Sequence, residues 1–147
     1  MNFESEKNFT EQWFKKREDF SEHSTFYNEI VFYESICSGN MDFVNIFMKL
    51  LCCEDCDNLS EDHLRNLKYN MIVRTALIAH YCIKGGMTSE KAYSIRDYYI
   101  MKTDKCKTES EIRTVHRKMI ESYTNKMRHI KLRGVYSKQI VRALDYN

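Results

Sequence analysis

The chain has no proline and only four glycines in 147 residues. Proline is the commonest interior helix breaker and glycine the residue tight hairpins ask for, so few positions can interrupt a helix or turn a strand. The expectation is an all-α fold, a single-domain bundle of about five to seven helices. A chain of 147 residues is long enough for one buried core and short for two.

Composition narrows the class. The apolar share is 43% against 30% charged, and mean hydropathy is -0.59, values of an ordinary globular protein. No apolar run reaches the roughly 18 residues of a spanning helix, and "MNFESEKNFTEQ" lacks the apolar core of a signal peptide. A cytoplasmic protein with no membrane contact is expected. Of the six cysteines, Cys52, Cys53 and Cys56 cluster, while Cys37, Cys82 and Cys106 sit in helical patterns. In that compartment they read as reduced thiols. The net charge of +2 is too small to imply nucleic-acid binding by the whole surface. Charge is nevertheless uneven: Lys126, Arg128, Lys131, Arg133, Lys138 and Arg142 face only Asp145 in the last stretch.

Helix boundaries follow from caps and apolar spacing. Thr10 is placed as the cap of a short first helix carrying Trp13, Phe14 and Phe20. Residues 26–38 carry Tyr27, Ile30, Val31, Tyr33 and Ile36 and stop at Gly39. Asn40 restarts a helix with Phe43, Ile46, Phe47 and Leu50 on one stripe. Ser60 is the expected cap of the long apolar segment through Lys84, whose stripe is Leu64, Leu67, Met71, Ile78 and Cys82. Gly85 and Gly86 end it, and Thr88 or Ser89 opens the next helix. Thr108 with Glu111 three residues on is a capping box. It opens a helix expected to run to about Arg133 on the stripe Ile112, Val115, Met119, Tyr123, Met127 and Ile130, with Gly134 as its break. Ser137 would then cap a last short helix presenting Ile140, Val141 and Leu144.

Chemical candidates are few. Cys53 and Cys56 form a C-x-x-C with His63 nearby, half of a structural zinc site whose second pair is missing, and a turn of unligated thiols is the commoner reading. Arg74 and His80 on the central helix either line a pocket for an anionic effector or are neutralised by a carboxylate such as Asp97, the more frequent case. Gly85-Gly86 lacks the surroundings of a phosphate loop. No nucleophile and base can be paired, so no enzyme and no cofactor are expected.

Several segments in order resemble one family. "LSEDHLRNLKYNMIVRTALIAHYCIKGGMTSEKAYSIRDYYI" (residues 59–100), "YNEIVFYESICSGN" (27–40) and "YSKQIVRALDY" (136–146) are similar to the N-terminal helical domain of AraC-type transcription regulators of Firmicutes. The family pattern runs "LS-x-x-x-LRN-x-K", a Gly-Gly turn, then "AYSLSDxYI". This chain departs from it at His80, where the family has Arg, and at "SIRD" (94–97) in place of "SLSD". The resemblance implies a variable segment over residues 1–24, a regulatory and dimerising domain over 25–134, and over 135–147 the start of a helix-turn-helix DNA-binding domain. Gly134, Tyr136, Ser137, Ile140 and Leu144 are then an interdomain hinge and docking face. It also implies a homodimer, an unidentified small-molecule effector, and DNA contact only through the missing C-terminal part. A stand-alone protein-binding adaptor and a cysteine-based metal or redox sensor are the alternatives.

Overall fold

A computed structural model describes residues 7–8, 10–11, 26–50 and 57–145, with the side chain of Leu50 outside that set. Five helices form: α1 (Phe26–Cys37), α2 (Met41–Leu50), α3 (His63–Lys84), α4 (Ser89–Lys105) and α5 (Glu109–Asp145). No strand occurs among the described residues, and the fold is all-α. The chain divides into two compact units, Met1–Val31 and Phe32–Asn147. In the first, every described residue is helical. Thr10 is among them and follows helical Lys7 and Asn8, so it is not the expected cap. Trp13, Phe14 and Phe20 lie outside the described residues.

In the second unit, α3 packs against both α4 and α5, α4 also packs against α5, and α2 meets α5. Each turn shows why its residues are where they are. Asn40 accepts the Phe43 N–H at 3.2 Å and opens α2 as its cap. The cap of α3 is Asp62, whose carboxylate takes the Arg65 N–H at 2.7 Å, and the expected Ser60 instead accepts from the Asp62 N–H. A carboxylate there also suits the positive end of the helix. The α3 C-terminus closes with Gly86 N–H on the Ile83 carbonyl and Met87 N–H on the Cys82 carbonyl, a Schellman pair. Gly85 stays right-handed, and Gly86, at φ 114°, makes the left-handed step. Thr88 caps α4 through the Lys91 N–H. The capping box of α5 forms with a shift: Thr108 takes the Glu111 N–H, but Glu111 reaches back to Lys107 N–H rather than to Thr108 itself.

The main core joins Phe32, Tyr33 and Ile36 of α1, Val44 of α2, Ile78, Ala79 and Cys82 of α3, and Met119, Ile120, Tyr123 and Met127 of α5. A second cluster of Leu67, Met71, Cys106 and Ile112 lies toward the other end of α3. The stripes expected on α3 and α5 are the buried ones. On α2 the phase differs: Val44 is fully buried, whereas Phe43 and Ile46 are 52% and 54% exposed. Tyr27 of α1, also expected inside, is 71% exposed. Short helices with apolar residues on several sides leave their rotation to tertiary contacts, here the Phe32–Phe47 ring contact at 6.2 Å.

The largest departure is at Gly134. Instead of ending near Arg133, α5 continues unbroken to Asp145, 37 residues in all. Gly134 is not among the positive-φ glycines, and a lone glycine in a helix costs only about 1 kcal/mol relative to alanine. Ser137 therefore lies inside a helix and caps nothing. Residues 131–145 are all exposed, an arm about 22 Å long at 1.5 Å per residue.

Two substitutions test this account in urea unfolding. Gly134→Ala meets open space and is expected to stabilise by about 1 kcal/mol, as in any exposed helix interior. Gly39→Ala is expected to destabilise by at least about 2 kcal/mol. Its φ is 74°, and an added Cβ would sit 2.5 Å from the Arg128 Cα.

Candidate functional site

The sequence grouped Arg74, His80 and Asp97. Six residues at about 100° each turn Arg74 and His80 roughly 120° apart on α3, and they face different neighbours. His80 is exposed and meets the Tyr93 ring edge-on at 6.2 Å. Tyr93 carries the Arg96 guanidinium on its face at 4.5 Å, and Arg96 donates to the Asp97 carboxylate at 2.8 Å. Asp97 is thus committed to Arg96 and does not neutralise His80. Arg74 lies on a different side of α3, and its charge acts on His116 of α5. The expected three-residue pocket is not assembled.

His116 is the residue that the motif search passed over. It lies at the centre of the face of α5 that buries Ile112, Met119, Ile120 and Tyr123. Its side chain is half-buried overall, but Nε2 has no access to solvent and no hydrogen-bond partner. Burial first, and the Arg74 charge second, together lower its pKa from 6.5 to about 3. The imidazole is therefore neutral at physiological pH, beside a cation, in an apolar setting. A polar residue in register with an apolar stripe was the available signal; no spacing motif marks it.

The other buried polar groups spend their hydrogen bonds locally. Thr75 donates to the Met71 carbonyl and Thr124 to that of Ile120. Asn70 holds both polar atoms of the Asp57 backbone, donating to its carbonyl and accepting from its N–H. The Tyr123 hydroxyl donates to the Ala92 carbonyl at 2.7 Å, tying α5 to α4. Two lysines satisfy carbonyls at helix ends: Lys131 donates to that of Gly85 and Lys68 to that of Asp104.

The thiol and metal candidates resolve differently. Cys53 and Cys56 lie outside the described residues. His63 pairs with Glu109 at 3.2 Å, bridging the starts of α3 and α5, and Arg113 holds the other oxygen of the same carboxylate. Among the described residues no three side chains are grouped to hold a metal ion. Cys37, Cys82 and Cys106 are free thiols. Burial raises Cys37, and it pushes Cys82 up to about 12, so neither is a thiolate nucleophile at neutral pH. An open groove of about 420 Å³ lies between the end of α4 and the start of α5, lined by Lys102, Lys105, Cys106 and Glu111 among others. The Glu111 carboxylate and the Thr108 hydroxyl already occupy donors at that helix start, which leaves the groove little call for an anion.

Tyr136, Ile140 and Leu144, expected at an interdomain face, are 63%, 60% and 69% exposed on the α5 arm. Leu132, Tyr136, Ile140 and Leu144 follow one another at four-residue intervals along one side, and Lys131, Lys138 and Arg142 fall on the opposite side. No helix among the described residues is long and apolar enough to cross a membrane. The chain matches no family model, no curated protein and no solved structure.

The His116 environment gives a pH dependence with a definite sign. Between pH 6.5 and about 3 the unfolded chain binds the His116 proton and the folded chain does not. Its share of stability is therefore complete above pH 6.5 and is lost as pH falls toward 3, by up to about 1.4 kcal/mol per unit. Urea midpoints at pH 7 and pH 5 are expected to show this loss. His116→Phe, which removes the titrating ring, is expected to flatten the difference and to be at least as stable at pH 5.

Proposed function

We propose that this chain is the regulatory, effector-sensing and dimerising domain of an AraC-like transcription regulator, acting in the cytoplasm, with DNA bound by a part the chain does not contain. One observation carries the reading beyond the sequence resemblance. A single helix, α5, holds the core through Met119, Ile120, Tyr123 and Met127 and then leaves it as a basic arm with an uncovered apolar side. A shift of α5 in the core is carried along a continuous hydrogen-bonded helix to whatever packs on that arm. The expected flexible joint at Gly134 is replaced in this mechanism by a rigid lever.

The dimer has its own supporting surface. Tyr69, Val73 and Leu77 form an i, i+4, i+8 ridge on α3 and are 43%, 50% and 39% exposed, the pattern that interdigitates with a like ridge on a second helix. The same ridge favours the adaptor reading, in which it covers a different protein. A dimer in sedimentation that Val73→Lys turns to monomer supports self-association; a monomer at every concentration points to the adaptor.

The decisive experiment reads the gene past the Asn147 codon. An open frame of about 100 residues with two helix-turn-helix patterns supports the regulator, and a stop codon there sinks it. In the longer protein, Ile140→Asp with Leu144→Asp is expected to weaken operator binding at least about tenfold, or ~1.4 kcal/mol. The melting of the bundle is expected to stay unchanged, since both residues are outside its core.

A further inference from the structure

We propose that Arg74 of α3 and His116 of α5 form a binding site for the carboxylate of a small organic acid. The first ground is the exception they make. The other buried polar side chains of the bundle are satisfied within it, and His116 Nε2 is the one buried side-chain nitrogen or oxygen among the described residues with no partner. An orphaned polar atom in a core costs about 1–3 kcal/mol, and such an exception calls for an explanation.

The second ground is charge. The charged group acting on His116 is another cation, Arg74, and no carboxylate offsets it. Arg74 makes no ion pair among the described residues, although Arg96 and Arg113 each pair with a carboxylate. A part-exposed guanidinium with no ion pair and a buried ring nitrogen with no partner, on facing helices, suit the same occupant: a negatively charged acceptor between them.

The chemistry of the pair limits the ligand. Arg74 offers a planar fork that matches the two oxygens of a carboxylate. Neutral His116, in the tautomer with the proton on Nε2, adds one more donor. One fixed positive charge and one neutral donor suit a monoanion; a phosphate dianion would keep a charge uncompensated in an apolar setting. Water could satisfy Nε2 but would not neutralise the guanidinium charge. The residues three or four positions from Arg74 and His116 on the same helix faces, Met71, Ile78, Ile112, Met119 and Ile120, are apolar and buried, which favours an acid with a short hydrocarbon body. Arg74 is half-buried and untethered, so its flexible stem can swing to admit the carboxylate to Nε2. The site stands on these two side chains alone; the regulatory reading would gain from it a class of effector.

The test is a titration of the ¹⁵N-labelled chain with acetate, butyrate, benzoate and, separately, inorganic phosphate, following the His116 ring signals and the melting temperature. Organic carboxylates are expected to move the ring signals saturably and to raise the melting temperature by several degrees at about 100 times Kd. Phosphate is expected to do neither. Arg74→Gln is expected to weaken binding at least about tenfold, and His116→Phe, folded by its own melting curve, to lose it. The proposal is overturned if no carboxylate gives a saturable response, if phosphate matches them, or if Arg74→Gln binds as well as the parent. None of these readings involves DNA, so failure here leaves the regulatory reading to its own test.

Discussion

The fold depends on one helix passing over two glycine turns. Arg128 of α5 lies against Gly39, between α1 and α2, at a distance no side chain would permit, and Met127 lies against Gly85, at the end of α3, where a side chain would push the Met127 and Cys37 side chains aside. A Cβ on Gly39 would meet the Arg128 backbone, and one on Gly85 would meet Cys37 Sγ and, at 2.7 Å, Met127 Cε. Because both turns are bare, α5 can lie close enough to bury Met119, Ile120, Tyr123 and Met127 against α1, α2 and α3 together. Lys131 then reaches back to the Gly85 carbonyl and closes the same junction from the solvent side. The scarcity of glycine in the sequence and the position of these two follow from the same requirement: helices everywhere except where another helix must pass.

Polar groups inside the bundle divide sharply. Thr75 and Thr124 return their hydroxyls to their own helices, Asn70 fastens the chain before α3, and Tyr123 fastens α4. Each of these stabilises a particular geometry. His116 stabilises none, and its cost grows because Arg74 stands beside it with no carboxylate to balance either. A leucine at the same position would pack with Ile112 and Met119 at no electrostatic cost. Physically, then, the pair is better explained by something it holds than by anything it does for the fold.

Local signals were legible and long-range ones were not. The Thr108–Glu111 box, the Gly-Gly stop of α3 and the stripes of α3 and α5 are consequences of spacing within one turn or one helix, and each is present, the box with its return bond shifted to Lys107. The phase of α2 was misread because Phe43, Val44, Ile46 and Phe47 are apolar on nearly every side, and tertiary contacts, the Phe32–Phe47 rings and the Val44 packing in the core, select among them. Gly134 was read as a stop because glycine often is one. The real stops at Gly39 and Gly86 carry positive φ and lie where the chain must reverse, and Gly134 does neither. The pocket failed for a geometric reason: Arg74 and His80 are near in sequence and point to different helices, and the partner Arg74 does face sits 42 residues later.

The α5 arm shows how little holds a feature on which function can rest. From residue 131 to 145 no side chain is buried, so the arm gains nothing from packing and exists because each added residue extends an already nucleated helix. Propagation of that kind is close to neutral per residue, with s near 1–1.6 for good helix formers, and nucleation, the costly step, is supplied by the core. Gly134 removes about 1 kcal/mol from this small margin. The arm is therefore a continuation of the core helix with no packing of its own. A surface that covers Leu132, Tyr136, Ile140 and Leu144 would supply the packing the arm lacks, and it would be joined to the core by the same unbroken helix.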